Sequence, residues 1–390
     1  MAGRAVIVAA RRTLVAPRGG ALKHLQADEL AAPVLSKVLE DGKLAPEDVG
    51  QVLLGNALYG GGNPARLAAL RAGIPQTVPA MTIDTQCCSG LDAIIMGARM
   101  IESGSAACVL AGGAESFSRA PIRMHRPVHK GGQPEPYDRP AFAPPPFEDP
   151  DLAEAAADLA ARERISRQAQ ADFAVLSHKK ALAAADWISC RLLDPTEKGL
   201  RSDTFTRKLS PKTALKAPVL AGTEHYGLNA ATIACEADAA AAVLMVSEAR
   251  ARELGVGGLR IVHAKNGGGE PADPALVPIS IGRELLESWK TTSDELAVFE
   301  IHEAYAVQAM MTASRLDANP EILNTMGGGL ARGHPIGASG AILMVQVFES
   351  LTPNCKESRG TLRKGLALIA AAGGLAAGIA VEAVDYGSVT

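Results

Sequence analysis

Residues 324–340 read Asn-Thr-Met-Gly-Gly-Gly-Leu-Ala-Arg-Gly-His-Pro-Ile-Gly-Ala-Ser-Gly, a glycine-rich turn that leads into a helical run. Its histidine is His334, which stands between Gly333 and Pro335. Proline stiffens such a turn and glycine permits close approach of the backbone, so the turn should display the imidazole. A phosphate-binding loop is the alternative, but no Lys-Ser or Lys-Thr follows the glycines and the dinucleotide spacing is missing. We therefore interpret His334 as a candidate base.

A second turn of this kind lies at residues 81–92, which read Met-Thr-Ile-Asp-Thr-Gln-Cys-Cys-Ser-Gly-Leu-Asp. A strand pattern ends at Asp84 and an apolar helical pattern opens at Cys87, so this cysteine should lie at a strand-to-helix turn. The free amides and the dipole of a helix N-terminus stabilise a thiolate and lower the pKa of the thiol. Cys87 is therefore a candidate nucleophile. The alternative is that Cys87 and Cys88 are both buried and act as small apolar residues.

A third segment, residues 299–305, reads Phe-Glu-Ile-His-Glu-Ala-Tyr and follows a short apolar strand pattern. A histidine with a pKa near neutrality can donate or shuttle a proton, which makes His302 a further candidate. The segment opens like the helix of a zinc protease, but position 306 lacks the second histidine of that motif. We therefore predict no metal site.

Composition narrows the class of protein. The 390 residues are enough for two or three domains, and 47% of them are hydrophobic, which allows a large buried core. The net charge of -3 lacks the basic excess of proteins that neutralise many phosphates. No apolar run approaches the roughly 20 residues of a membrane span, and we expect no signal peptide. Six thinly spread cysteines favour a reducing compartment, so we expect a cytoplasmic protein that binds neither nucleic acid nor membrane.

Strand and helix patterns alternate at both ends of the chain, which is typical of layered α/β architecture. Between residues 119 and 150 the composition shifts to Pro, His, Arg and Gly with no clear period. A weak echo between residues 108–113 and 367–374, each a buried strand pattern ending in glycines, supports two similar halves. We predict a first half at 1–118, completed by about 246–269, an inserted domain at 119–245, and a second half at 270–390.

These segments together resemble the thiolase family, and the resemblance covers nearly the whole chain. Four signatures occur in the order of that family: Cys-x-Ser-Gly at 87–90, Ala-Gly-Gly-x-Glu-Ser at 111–116, a version of Asn-Glu-Ala-Phe at 302–305, and Gly-His-Pro-x-Gly-Ala-Ser-Gly at 333–340. The resemblance implies an α/β thiolase fold, a five-layer α/β/α/β/α core of two similar halves with an inserted loop domain over the coenzyme A channel. It also implies a homodimer or homotetramer.

The resemblance assigns roles to particular residues. In that family the cysteine of Cys-x-Ser-Gly carries the acyl group and the histidine of Gly-His-Pro activates it, so Cys87 and His334 take these roles. The backbone amides of Cys87 and Ala372 would form the oxyanion hole. Further contacts with the substrate are expected at Ser89, Gly333, Ser339 and Thr232. The implied substrates are acyl-CoA, acetyl-CoA and CoA, and no additional cofactor is expected.

One departure from the family pattern bears directly on the chemistry. Thiolases usually carry a second cysteine near the C-terminus that moves the α-proton of the second acyl-CoA. Alignment of the glycines and of Glu382 puts Ala370 at that place. Alanine cannot transfer a proton, so another group must serve, and His302 is our first candidate. A Cys, His, His set also resembles the decarboxylating ketoacyl synthases, which need no second cysteine because loss of carbon dioxide generates the carbanion.

Three functions therefore stay open. The leading hypothesis is an acyl-CoA C-acyltransferase of fatty acid metabolism that makes or cleaves 3-ketoacyl-CoA through acyl-Cys87. The second is an acyltransferase or decarboxylating condensing enzyme whose second substrate is not acetyl-CoA. The third is a non-catalytic acyl-CoA-binding protein, which Ala370 favours and the intact segments around Cys87 and His334 disfavour.

Overall fold

The computed structural model describes residues 3–137, 139–352 and 363–387, and Cys355 and the outermost residues of the predicted halves lie outside these ranges. The strands are β1 (Ala5–Thr13), β2 (Ala16–Pro17), β3 (Gln51–Gly55), β4 (Ala80–Ile83), β5 (Cys108–Ser116), β6 (Met124–His125), β7 (Glu135–Pro136), β8 (Leu192–Leu193), β9 (Val219–Ala221), β10 (Leu228–Asn229), β11 (Ala237–Ser247), β12 (Gly258–Gly268), β13 (Leu296–Ile301), β14 (Lys364–Ala371) and β15 (Leu375–Val384). The α-helices are α1 (Ala27–Asp41), α2 (Pro64–Arg71), α3 (Ser89–Glu102), α4 (Leu152–Arg162), α5 (Arg167–Ala183), α6 (Ala185–Ser189), α7 (Pro211–Lys216), α8 (Glu248–Leu254), α9 (Val277–Trp289), α10 (Ala306–Arg315), α11 (Gly329–Arg332) and α12 (Ile336–Leu351).

The main sheet consists of two half-sheets that meet in the middle. Its hydrogen-bonded path runs β13-β14-β15-β12-β1-β11-β5-β3-β4. The two halves join where β1 pairs with β12 at Val6 and Ile7. In the first half, β3 and β5 are parallel and β11 pairs with β5 antiparallel. In the second half, β13 and β14 are parallel and β15 pairs with β14 antiparallel.

Helices cover the outer faces of the half-sheets and fill the space between them. α1 and α2 pack together on the first half-sheet, and α9 packs on the second. α3 and α12 contact strands of both halves and lie between them. The two half-sheets and three helical layers confirm the predicted α/β/α/β/α core of five layers.

The central helix α12 shows why the middle layer is so apolar. Most of its residues, from Gly337 to Leu351, are buried, because sheets cover it on both sides. A helix with this environment is hydrophobic all round instead of amphipathic. Among the described residues, no helix reaches the length and apolar character that would let it cross a bilayer.

The second half repeats the first, element by element. Strands β3 and β5 correspond to β13 and β14, and helices α2 and α3 correspond to α10 and α12. In the place of β4 the second half has a single parallel bridge between Phe299 and Leu323. The strands β5 and β14, which carry the sequence echo, occupy equivalent places and confirm it. The turn before α3 and the turn before α12 are therefore counterparts, and they hold Cys87 and His334.

Two of the predicted limits need correction. β11 pairs with β1 and β5 from Ala237 onward, so the core resumes at 237 and the predicted limit of 245 is too late. Its run of alanines favours a helix locally, and pairing on both sides overrides that preference. β12 pairs with β15 along its whole length and belongs to the second half, although 246–269 had been expected to complete the first.

The insert is tied to the core by Arg12, which donates to both carboxylate oxygens of buried Asp203 at 2.7 and 2.9 Å.

Candidate active site

Cys87 and His334 meet where α3 and α12 begin. The Sγ atom of Cys87 lies 3.1 Å from Nε2 of His334. On the other side of the ring, Nδ1 lies 2.7 Å from Oγ of Ser339, and this hydroxyl donates to the Pro335 carbonyl at 3.1 Å. Because the serine proton is used there, Oγ accepts from Nδ1–H, and Nε2 is free to take the thiol proton. This tautomer is the one that a base for Cys87 requires.

Close packing of backbones brings the two turns together. A methyl group added to Gly90 would lie 2.6 Å from the Gly337 carbonyl oxygen, and one added to Gly340 would lie 2.7 Å from Cβ of Leu91. Real side chains do not tolerate contacts this short, so only glycine fits at these places. The glycines therefore allow the first turns of α3 and α12 to touch.

A buried carboxylate holds the histidine turn in place. Glu115, at the end of β5, accepts hydrogen bonds from the backbone amides of Gly337 at 2.9 Å and Ala57 at 3.0 Å, and from the side-chain amide of Asn56 at 2.8 Å. Burial raises the pKa of Glu115 to about 7, while these amide donors stabilise the carboxylate. The signature at 111–116 did not reveal this role. The signal in the sequence was an acidic residue, Glu115, at the end of an apolar strand pattern, because a buried carboxylate needs hydrogen-bond donors around it.

Burial also sets the charge of the catalytic pair. It raises the pKa of the Cys87 thiol to about 12 and lowers the pKa of His334 to about 4, so both groups are neutral at pH 7. The backbone amides of Ala372 and Cys87 act in the opposite direction on the thiol, because they stabilise negative charge on the sulfur. The prediction of a lowered thiol pKa is therefore wrong, since loss of hydration outweighs the helix N-terminus. The thiol proton must leave as the sulfur attacks.

His302 packs against the catalytic histidine. The ring centroids of His302 and His334 are 4.3 Å apart, and the ring planes form an angle of 51°. His302 is buried, and neither of its ring nitrogens has a hydrogen-bond partner in the described part of the chain. Burial and the neighbouring His334 and Arg332 lower its pKa well below the ordinary value. A neutral imidazole with unused nitrogens can accept or donate one hydrogen bond to a bound substrate.

The neighbours of Cys87 separate into a cavity wall and core. Ala370, near the end of β14, and Ala372, just after it, line the same narrow cavity as Cys87, so the position predicted for the second cysteine lies at the site and carries an alanine. Cys88 points away into the core, where its thiol lies 3.7 Å from the Ile369 carbonyl oxygen. The adjacent cysteines thus have different surroundings.

The residues expected to touch substrate have structural roles that the fold makes visible. Ser89 has no exposed surface, and its hydroxyl bonds the backbone of its own turn at 2.9 and 2.5 Å. Thr232 is buried and bonds the backbone three residues before it. Ser339 orients His334, and Gly333 turns the chain with a φ of +111°. These bonds show how the three side chains support the backbone of the site, and their contacts with a substrate stay predictions.

We expect acylation of Cys87 to persist down to about pH 5. The base must be neutral, and the pKa of His334 is lowered to about 4, so protonation should stop the reaction only as the pH falls through that value. Single-turnover acylation by acetyl-CoA, followed by intact mass at graded pH, measures this, with circular dichroism as a check on folding. A loss centred near 6.5, the ordinary pKa of histidine, would contradict the buried neutral base.

Comparison with known proteins extends these observations. Family models described as "Thiolase, N-terminal domain" and "Thiolase, C-terminal domain" match residues 5–249 and 258–383. The chain is similar to a Bacillus subtilis (strain 168) protein, provisionally named acetyl-CoA C-acetyltransferase YhfS. The two are 37% identical over 369 residues, which cover 93% of this chain and 96% of that protein.

Two solved structures share the fold along almost the whole chain. The Bacillus anthracis acetyl-CoA acetyltransferase has a TM-score of 0.88 and 29% identity, and the match covers 98% of this chain and 99% of that one. The Acat5 thiolase from Ascaris suum, solved in complex with coenzyme A, has a TM-score of 0.87 and 26% identity over 98% of this chain and 100% of that one.

Proposed function

The chain belongs to the thiolase family, and from that premise we propose that it is an acyltransferase that forms an acyl thioester on Cys87. It makes or cleaves 3-ketoacyl-CoA with CoA and acetyl-CoA, in the metabolism of fatty acids. The observation that carries this proposal is the 3.1 Å approach of Cys87 Sγ to His334 Nε2, with the tautomer set by Ser339. A nucleophile beside an oriented base is the arrangement that covalent acyl transfer requires.

In the first half-reaction, Sγ attacks the thioester carbonyl of a bound acyl-CoA while Nε2 of His334 takes the thiol proton. Negative charge develops on the carbonyl oxygen, and the amides of Cys87 and Ala372 are the donors that we assign to it. The carbon–sulfur bond to CoA then breaks, and His334 returns the proton to the leaving thiolate. The acyl group remains on Cys87.

In the second half-reaction, another acyl-CoA must lose an α-proton before its carbanion attacks acyl-Cys87. As the carbon–carbon bond forms, the bond between the acyl carbon and the Cys87 sulfur breaks, and the abstracted proton restores the thiol. Ala370 cannot accept this proton. We assign the step to His302, because it is neutral, has unused ring nitrogens and lies beside His334. Thiolysis follows the same steps in reverse.

One observation favours a second candidate, a decarboxylating condensing enzyme. The pKa of His302 is lowered well below its ordinary value, which makes the ring a weak base. Its N–H can still donate to the oxygen of an enolate that forms when carbon dioxide leaves, and that step requires no base. The pair of His302 and His334 therefore also suits a carboxylated acyl-CoA as second substrate.

Turnover of acetoacetyl-CoA with free CoA tests the proposed function. We would follow loss of the 3-ketoacyl absorbance and record the intact mass of the protein in parallel. Turnover with an acetyl group on Cys87 supports the thiolase reaction. An acylated protein without turnover favours the second candidate, and malonyl-CoA should then be consumed. If neither acylation nor turnover occurs, both enzyme functions are wrong.

We expect His302→Asn to slow condensation by about 10²- to 10⁴-fold more than it slows acylation, the usual range for removal of a general acid or base. Exchange of the α-protons of acetyl-CoA in deuterated water reports the second half-reaction, and single-turnover acylation of Cys87 reports the first. Equal losses in both measurements would remove His302 from the role of replacement base.

We also propose a cytoplasmic homodimer or homotetramer. The cysteines in the described part of the chain are free thiols, as in a reducing compartment. β4 lies at the end of the first half-sheet, and Met81 on it and Met96 on α3 are each 41% exposed. An unpaired strand edge beside exposed apolar side chains suits contact with a second copy of the chain, and sedimentation would measure the resulting mass.

A further inference from the structure

The cavity beside Cys87 is small and sets a limit on the acyl group. Its volume is about 50 Å³, and its wall includes Leu152, Ala156, Ala275, Tyr305, Gln308 and Ala372. About 10–15 Å³ accommodates one water-sized group, so the cavity holds roughly three to five non-hydrogen atoms. The part of an acyl chain that this cavity can hold is therefore a few atoms long.

Gln308 is one of the residues that line this cavity, and its side chain has an unused hydrogen-bond donor. It lies in the first turn of α10 and is 2% exposed. Its Oε1 accepts from the Ala304 backbone amide at 3.3 Å, which settles which end of the side-chain amide is the donor. Its Nε2 has no hydrogen-bond partner among the described residues. A buried donor without a partner is costly, so an oxygen placed in the cavity would be stabilised there.

Tyr305 adds a hydroxyl to the same cavity. Burial raises the pKa of this phenol well above its ordinary value, and the nearby carboxylate of Asp151 acts in the same direction. The hydroxyl therefore stays protonated and can both donate and accept. Tyr305 and Gln308 give an otherwise alanine-rich wall two neutral polar groups.

The charges around the cavity disfavour a carboxylate in the substrate. Asp273 lines the cavity and pairs with Arg162, and Asp151 acts on Tyr305. No cationic side chain is among the described residues that line the cavity. A second negative charge would lose hydration there without gaining a partner, whereas a neutral oxygen would gain the Gln308 donor.

We propose that this protein selects short acyl groups that carry a neutral oxygen near their far end, such as a hydroxyl, and that Gln308 and Tyr305 recognise that oxygen. The proposal rests on the proposed function, because it takes Cys87 as the acyl carrier. In the selecting step the acyl–sulfur bond passes from CoA to Cys87. One proton passes from the Cys87 thiol, through His334, to the released CoA.

A matched pair of substrates tests the selection. 3-Hydroxypropanoyl-CoA and butanoyl-CoA have acyl groups of equal size, and they differ in a terminal hydroxyl or methyl group. We expect acylation of Cys87, measured by intact mass as a second-order rate constant, to favour the hydroxyl compound by about tenfold or more, the effect of one well-placed hydrogen bond. Acetyl-CoA serves as the reference substrate for acyl transfer itself.

Variants of the wall identify the residues that select. Gln308→Met removes both polar atoms at similar volume, and Gln308→Leu removes them with a branched side chain. Both variants should bring the ratio of the two rate constants close to one, and Tyr305→Phe should lower it in part. Because the ratio is taken within each variant, a general loss of folding or of Cys87 reactivity cancels.

Each outcome decides a different point. If the unaltered protein takes butanoyl as fast as the hydroxyl compound, or faster, the selection is overturned while acyl transfer stands. If the ratio survives in both Gln308 variants, Gln308 does not select and the proposal is wrong. If none of the three acyl-CoA compounds acylates Cys87, the proposed function fails and the selection fails with it.

Discussion

Cys87→Ala should abolish acylation of the protein by acetyl-CoA and acetoacetyl-CoA, with a loss of roughly 10⁴-fold or more, because among the described residues Cys87 is the thiol that bonds the candidate base. The thiol is the atom that lies 3.1 Å from the base, and its removal leaves His334 nothing to activate. Intact-mass measurement of the acyl adduct and the rate of acetoacetyl-CoA thiolysis would record the loss.

Cys88→Ala is the matched control for this experiment. Its thiol is buried in the core, away from His334, so the variant should still be acylated on Cys87 and should lose only some stability. Calorimetric binding of CoA to Cys87→Ala shows whether the site remains formed without the nucleophile. Persistent acylation of Cys87→Ala, or loss of acylation in a folded Cys88→Ala, would contradict the assignment.

His334→Gln should slow acylation by about 10²- to 10⁴-fold at neutral pH, because glutamine fills the space but cannot take a proton. The variant should also change its dependence on pH. Without a base the reaction needs a thiolate formed beforehand, and the pKa of Cys87 is raised to about 12. The rate should therefore rise about tenfold per pH unit between neutrality and pH 9, while the unaltered protein stays nearly constant.

Two variants bracket this result. Ser339→Ala leaves the base in place but frees its tautomer, so it should cause a smaller loss than His334→Gln. His24→Gln, at an exposed histidine far along the sequence from the site, should leave acylation unaltered. If the acylation rate of His334→Gln did not respond to pH, the Cys87 thiol would already be ionised. That result would contradict the conclusion that Cys87 and His334 are both neutral at pH 7.

Much of the site can be predicted from short stretches of sequence. Cys87 lies between a strand and a helix, and His334 lies in a turn of glycine and proline, as the local patterns indicate. These features can be predicted because they depend on only a few neighbouring residues. Glycine and proline restrict the backbone locally, and strands and helices have short hydrophobic periods. The five-layer fold was predicted differently, from the resemblance of four ordered signatures to one family.

Other features could not be predicted from any single stretch. The limit of the insert at 237 and the place of β12 in the second half depend on which strands pair, and strand pairing joins distant parts of the chain. Buried residues that carry no motif, such as Gln308, are recognised only when their neighbours are known. The hydrogen bonds of the Ser89 and Thr232 hydroxyls are likewise known only from the structure, because sequence does not show which way a small side chain points.

Short motifs along the chain are enough to assign the family and the layered fold, and they nominate Cys87 and His334 as nucleophile and base. The tertiary structure alone decided their charge and their supports. Cys87 and His334 are 247 positions apart, and Glu115 reaches the histidine turn across 222 positions. Loss of hydration depends on every group around the thiol, so the pKa of Cys87 is raised although the helix N-terminus by itself would lower it.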